Sequence, residues 1–392
     1  DIILSLSQLK DGRKLFSTNC GGIYEWFEDK LSYSALNTHI PNMCVWSIFE
    51  DSKNRIWFGA EELYQIDSSD LSKEGKIYDD KYGFGGRGIS SIMEDSKGNI
   101  WIGALNGLYK FDGNGFQRYS IEDGLSSNNI RVINEGTSGV LWVGTIEGLN
   151  KIENGVITSV SLQIDSKLKQ ENEPYIRAVY EGEEGELWLG SYGRGVFRVK
   201  NNEVCNITKD NGLFDNIASH LVKDENGNFW MGSNKGIFRL SIESAVAFCD
   251  GESETVQSFS YGVQDGMIST ETNGGFQPSI IQEPSGNIYF PTVSGVSVVS
   301  TRSIEPNNNN IPVYIERIRD SKSNLSLDKK IELTHDDSFL EIAYTAINFT
   351  KPEKVKFKYK LEGLNNNWID VGNQRSAIYS NIPPGDYTFR VI

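Results

Sequence analysis

The stretch IMEDSKGNIWIGALNGLYKFD, residues 92–112, decides how this chain is read. Ile89–Glu94 reads as a first strand, and Ser96–Asn99 as a tight turn in which Gly98 can take a positive φ. Ile100–Leu105 is predicted as a second strand, Asn106-Gly107 as a second hairpin turn, Leu108–Asp112 as a third strand and Phe116–Ser120 as a fourth. Working outward, the same phrase recurs at residues 48–67, 133–153, 179–200 and 221–241, with weaker copies at 6–27 and 280–300. The central aromatics are Phe16, Trp57, Trp101, Trp142, Trp188, Trp230 and Tyr289, at intervals of 41, 44, 41, 46, 42 and 59 residues. Seven four-stranded units with a period of about 45 residues predict a seven-bladed β-propeller, whose central aromatics pack between blades. A helical solenoid is excluded, because no long 3.6-residue apolar stripe is present.

The repeats stop near Ile304, and the polar run Glu305–Asn310 reads as a linker. In residues 311–392 alternating β-branched and aromatic residues predict a small β-sandwich. The fold class is therefore all-β: a propeller over 1–304 and a sandwich over 311–392. The last strand signal, Tyr387–Ile392, runs into the chain end, so the sandwich is expected to be incomplete. Blade 7 reads as three strands, Pro278–Glu283, Asn287–Val293 and Val296–Ser300. Its outer strand is expected from a segment N-terminal to blade 1.

Composition narrows the function. The 392 residues include 8 Trp, 17 Tyr and 19 Phe, enough aromatic mass for a sizeable core. The 53 acidic residues outnumber 38 basic ones, and the net charge of −15 opposes binding to phosphate backbones, so no nucleic acid partner is expected. No apolar run reaches the roughly 20 residues of a membrane helix. No leader-like segment precedes Asp1, so any export signal is expected outside this stretch. Cys20, Cys44, Cys205 and Cys249 form no CxxC pair, which argues against zinc ribbons and dithiol redox sites. Free, buried thiols are the expectation, although Cys20 and Cys44 fall on one rim and are placed to meet across a blade boundary.

Catalytic constellations are poor. His39, His220 and His335 lie in different blades or domains, and no nucleophile elbow, HExxH or P-loop occurs. No cofactor and no metal is expected. Acidic pairs occur at Glu50-Asp51, Glu94-Asp95, Glu183-Glu184 and Asp336-Asp337. The first two sit at repeat turns, where a carboxylate can cap the hairpin through its own backbone amides. That structural role is preferred over a glycosidase pair. Asp95–Asn99 and Asp224–Asn228 resemble calcium loops but lack the distal bidentate Glu.

A register argument gives the candidate site. Eleven residues before each central aromatic stand Ser5, Trp46, Ser90, Arg131, Arg177, Ser219 and Pro278. Equal register means equal height, which makes Arg131 and Arg177 neighbours on one rim. The second-strand ends on that face add Tyr192, with Arg194 two residues on. Arginine forks and aromatic faces suit a sugar, especially an anionic one. The competing reading gives these arginines to the abundant carboxylates as interblade salt bridges. The candidate ligand-binding residues are Arg131, Arg177, Trp46, Tyr192 and Arg194.

The repeat, carried by Asp95, Gly98, Trp101, Gly103, Gly107 and Leu108 and again by Asp224, Gly227, Trp230, Gly232, Ser233 and Gly236, resembles the two-component-regulator propeller repeat. Tyr359–Leu364, Trp368, Tyr379 and Pro384–Val391 resemble the triple-tyrosine (Y_Y_Y) domain that follows such propellers. Phe16 for Trp, Glu61-Glu62-Leu63 without its turn glycine, and Tyr289-Phe290-Pro291 depart from the pattern. The pair is similar to the periplasmic sensor region of hybrid two-component systems of Bacteroidetes. The resemblance implies a non-catalytic sensor of mono- or oligosaccharides, part of a homodimer anchored in the inner membrane and signalling to a histidine kinase. The alternative is a stand-alone propeller lyase, or a lectin. A lyase needs a His/Glu/metal cluster near the channel, where only His220 lies close to an inner strand. A lectin needs equivalent pockets, and the matched positions differ between blades.

Overall fold

The computed structural model describes residues 1–392 apart from 42, 72–74, 164–171, 183–184, 305–310, 328–329, 334–338, 348–354 and 366. The chain forms two compact units, Asp1–Ile304 and Glu305–Ile392. The linker Glu305–Asn310, His335 and the pairs Glu183-Glu184 and Asp336-Asp337 lie outside the described residues.

The first unit is a ring of seven antiparallel sheets. Six have four strands and the last has three. In blade 3 the strands are Ser91–Glu94, Ile100–Ala104, Gly107–Phe111 and Phe116–Tyr119. Its first strand starts two residues later than the sequence predicts, because the Ile89 amide donates to Ala60 of blade 2. Blade 7 comprises Ile281–Gln282, Asn287–Thr292 and Gly295–Ser300, and no fourth strand joins it among the described residues. One helix, Ile242–Cys249, is inserted in blade 6 between its third and fourth strands and escapes the sequence reading. Ser241 caps it, its hydroxyl accepting from the Ser244 amide.

The repeat residues explain why each phrase makes a blade. Asp95 Oδ1 accepts from the Lys97 and Asn99 amides at 3.0 and 2.8 Å, and Oδ2 accepts from Trp101 Nε1 at 2.8 Å. Asp51 and Asp224 repeat this with Trp57 and Trp230. One carboxylate thus closes the hairpin and satisfies the indole of a buried ring. Hydrogen bonds to the charged form outweigh the burial that opposes it, and the pKa of Asp95 falls below its ordinary value. Blades 4 and 5 have Gly136 and Gly182 in place of that Asp. There Trp142 Nε1 donates to Glu181 of the next blade, and Trp188 Nε1 to Glu186.

The glutamate preceding the Asp works between blades. Glu50 accepts from the Lys10 amide, Glu94 from the amide and hydroxyl of Ser52, and Glu135 from those of Ser96. Between blades 7 and 1 the corresponding tie is the ion pair Lys14–Glu283 at 2.6 Å. Five of the central aromatics are buried, and Trp142 and Tyr289 are half-buried; Trp57 packs beside Phe111 of blade 3, and Trp188 beside Phe229 of blade 6.

The expectation of free thiols is wrong. Cys20 is bonded to Cys44, between blades 1 and 2, and Cys205 to Cys249, between blade 5 and the blade 6 helix. The second pairing is invisible in a repeat reading because the helix that carries Cys249 interrupts the repeat.

The second unit has sheets of four and three strands. Phe339–Ala346 alternates half-buried and buried positions along its length, as a strand with one core face must. Its Tyr344 meets Phe357 and Tyr359 of the facing sheet, and Tyr379 and Phe389 complete the aromatic core. Burial pushes the Tyr344 phenol up to about 12.

Candidate functional site

Several of the register positions touch the adjacent blade. Ser5 Oγ donates to the Pro278 carbonyl, Ser90 Oγ to that of Ile130, and Arg177 Nη1 to Ser219 Oγ at 3.2 Å. Residues eleven positions before the central aromatic are thus neighbours round the ring.

Arg131 and Arg177 owe their direction to β-bulges. In blade 4 the ladder passes from Ile130↔Thr145 to Val132↔Gly144, leaving Arg131 unpaired. In blade 5 it passes from Ile176↔Ser191 to Ala178↔Gly190, leaving Arg177 unpaired. A bulge frees one residue from the alternation and re-aims its side chain. The two guanidiniums converge on one ring, that of Tyr175. Arg131 lies 5.7 Å and Arg177 4.8 Å from its centroid, and Arg177 is also 4.0 Å from the centroid of Tyr192. The two tyrosine rings are 5.7 Å apart, and the Tyr192 amide donates to the Tyr175 carbonyl. Arg177 is therefore held between two aromatic faces, a favourable seat for a planar cation. Tyr192 remains 41% exposed.

The other two candidates do not join this cluster. Arg194 Nη1 donates to the Asn172 carbonyl, which engages it in the preceding loop. Trp46 packs against Phe276 at 6.3 Å. The expected salt bridges are not formed by the pair in the cluster: among the described residues no carboxylate lies within ion-pair reach of Arg131 or Arg177. Their Nε atoms are buried without a hydrogen-bond partner. Burial lowers the pKa of Arg131, Tyr175 opposes the shift, and the Arg177 charge adds to it.

Below this rim the channel is filled by the chain itself. Thr272–Pro278, in the connection from blade 6 to blade 7, reaches the inner strand or first-strand approach of every blade. Asn273 Nδ2 donates to the Ile3 carbonyl, and Phe276 meets Trp46. The Gln277 amide donates to Ser90, while its side chain donates to Ile133 O and accepts from Ile133 N. Gly275 lies beside Arg177, where a Cβ would stand 3.4 Å from Nε, and Gly274 lies against Ser219. Thr272 donates to the Ser233 carbonyl, and the Asn273 amide to Pro291. Tyr175 and this plug are missed by sequence reasoning. The only signal was the 59-residue interval before Tyr289, which also contains the helix.

His220 lies beside the plug, its ring 5.8 Å from that of Phe290. Burial, with the nearby Arg177 charge, pushes its pKa down to about 3, against the Asn273 backbone, which opposes the shift. It is a neutral imidazole at physiological pH. No group of three metal-ligating side chains occurs among the described residues. A surface cleft of about 680 Å³ lies on the opposite rim, between the hairpin turns of blades 6 and 7 and lined by Asp224, Glu225, Glu283 and Arg302. It is remote from the arginines.

Comparison with known proteins agrees with the repeat reading. The two-component-regulator propeller model matches residues 39–62 and 83–106, and the Y_Y_Y domain model matches 348–391. The chain carries both elements, in that order. The extracellular domain of a hybrid two-component system from B. thetaiotaomicron aligns over 100% of this chain and 52% of its own, with 21% identity and a TM-score of 0.71. Virginiamycin B lyase from Staphylococcus aureus aligns over 76% of this chain and 93% of its own, with 16% identity and a TM-score of 0.54. Histidine kinase P4 of Formosa agariphila is 24% identical over 194 residues, covering 46% of this chain and 13% of the kinase. The chain therefore spans about half of the extracellular domain it matches and a small part of the kinase.

Proposed function

We propose that this chain is part of the periplasmic sensor region of a hybrid two-component histidine kinase, and that it binds a mono- or oligosaccharide on the Arg131–Arg177 rim. The observation that carries the reading is the ledge made by Tyr175, Tyr192 and the two bulge arginines above a filled channel. Exposed aromatic faces stack on pyranose C–H groups, and guanidiniums fork onto sugar oxygens. The order of repeats and Y_Y_Y domain, together with the hybrid-system likeness, supports placement in a sensor anchored in the inner membrane. Among the described residues no helix is long and apolar enough to cross a membrane.

A rigid ring suits transmission rather than chemistry. The propeller exit at Thr301–Ser303 is pinned to blades 6 and 7: Thr301 Oγ1 donates to the Gly286 carbonyl, and Arg302 donates to Glu225 and to the Pro284 carbonyl. Binding shifts signalling only through differential affinity for two arrangements of the parts, here within a homodimer. The lyase reading is weaker, because His220 is buried beside the plug and, among the described residues, no group of three metal-ligating side chains occurs.

Calorimetry with a panel of neutral and acidic glycan fragments tests the proposal. One or more fragments should bind, and Tyr192→Ala and Arg177→Ala should each weaken binding by about tenfold or more. If both variants bind as the parent does, the rim is not the site.

A further inference from the structure

The ledge carries more positive charge than a neutral sugar requires. This chain has 15 more acidic than basic side chains, so a guanidinium has carboxylates to choose from. Some arginines elsewhere take them: the buried Arg198 pairs with Glu186 and Asp250, and the exposed Arg302 with Glu225. Among the described residues Arg131 and Arg177 have no such partner, although both are more than half buried and share one aromatic ring. Two like charges converging in a partly desolvated place destabilise the free protein. Among the described residues that touch the pair, none adds a compensating charge: Ser219 is a hydroxyl, and Tyr175 and Tyr192 offer ring faces. The plug presents Gly275, at φ 91°, beside the Arg177 guanidinium, and brings no charge to it.

Resting on the proposed sugar-binding role of this rim, we infer that the ledge selects ligands bearing an oxyanion, a carboxylate or a sulfate ester, which bridges Arg131 of blade 4 and Arg177 of blade 5. The guanidinium fork matches either group, and the missing protein carboxylate is supplied by the ligand. The sugar ring then lies toward Tyr192, the exposed aromatic of the pair.

The test uses the 392-residue chain and four probes: a galacturonic acid disaccharide, the galactose disaccharide of the same linkage, its sulfate ester, and inorganic sulfate. Binding is measured by calorimetry at low and raised sodium chloride. A charged disaccharide should bind about tenfold or more tighter than the neutral one, with the margin shrinking as salt rises. Arg131→Gln and Arg177→Gln should remove that margin while the melting temperature stays level or rises, since a like-charge contact is relieved. Whether the uronate or the sulfate ester gains more identifies the oxyanion. If the neutral disaccharide binds equally well, and Tyr192→Ala abolishes that binding, the oxyanion inference falls and the sugar-binding reading stands. If inorganic sulfate binds and is lost in both Gln variants while no sugar binds, the oxyanion cradle stands and the sugar reading falls. Charge preference surviving in both variants overturns the inference outright.

Discussion

Asp95→Ala removes the carboxylate that organises blade 3, and its cost follows from the contacts. Asp95 is 8% exposed and accepts from the Lys97 and Asn99 amides, the Asn99 side chain and Trp101 Nε1. The turn amides lie near the surface and can turn to water. The indole N–H cannot, because Trp101 is only 3% exposed. One buried donor left unmet costs about 1–3 kcal/mol, and loss of the turn bonds adds about 1 kcal/mol, giving roughly 2–4 kcal/mol in all. Asp95→Asn keeps one oxygen acceptor and should cost about half as much. The assay is urea unfolding followed by tryptophan fluorescence, with Trp101→Phe completing a double-mutant cycle. Trp101→Phe should recover part of the Asp95→Ala loss, because no orphan N–H then remains. Purely additive effects, or an Asp95→Ala cost below about 0.5 kcal/mol, would refute the hairpin-lock account.

Three further outcomes follow. The lowered pKa of Asp95 means its contribution is present above its unfolded value and is lost as pH falls through the folded one. The acid limb of an unfolding profile should therefore flatten in Asp95→Asn. Cys205→Ser with Cys249→Ser opens a link across 44 residues, and should lower stability by about 2–4 kcal/mol; thiol titration of the unfolded, unreduced parent should find no free cysteine. Gln277→Ala removes two side-chain hydrogen bonds to Ile133. It should cost about 1–3 kcal/mol and speed amide exchange in the first strands of blades 3 and 4.

The ring was legible because the blades share an apolar alternation, and blades 3 and 6 add the full Asp–Gly–Trp turn whose hydrogen bonds the structure displays. Register carried further than composition: Arg131 and Arg177 were placed on adjacent blades by counting alone, and both meet Tyr175. Counting failed wherever the chain leaves the repeat. The helix Ile242–Cys249 took Cys249 to Cys205, a pairing that no periodicity encodes. Tyr175 is missed because it precedes its strand and occupies no repeated position. The bulges at Arg131 and Arg177 are equally hidden, since an extra residue in one strand is a property of the pair. Arg194 and Trp46 occupy the right height, but height does not determine whether a loop carbonyl or a plug ring claims the side chain.

The plug changes what such a site can do. An open propeller channel would let each blade respond to a ligand by itself. Here Thr272–Pro278 touches an inner strand, or the approach to one, in all seven blades, and its two glycines pack against Ser219 and Arg177. A ligand drawn to Arg177, as proposed, would therefore act on the segment that fills the channel, not on blade 5 alone. From that segment the chain runs directly into blade 7, and blade 7 ends in Thr301–Ser303, pinned to Glu225 and Gly286 just before the second unit begins. The rim and the propeller exit lie on opposite faces, and the plug together with blade 7 is the shortest covalent route between them. That continuity would let closed β-sheets, which yield little individually, pass a change at the rim on to the exit.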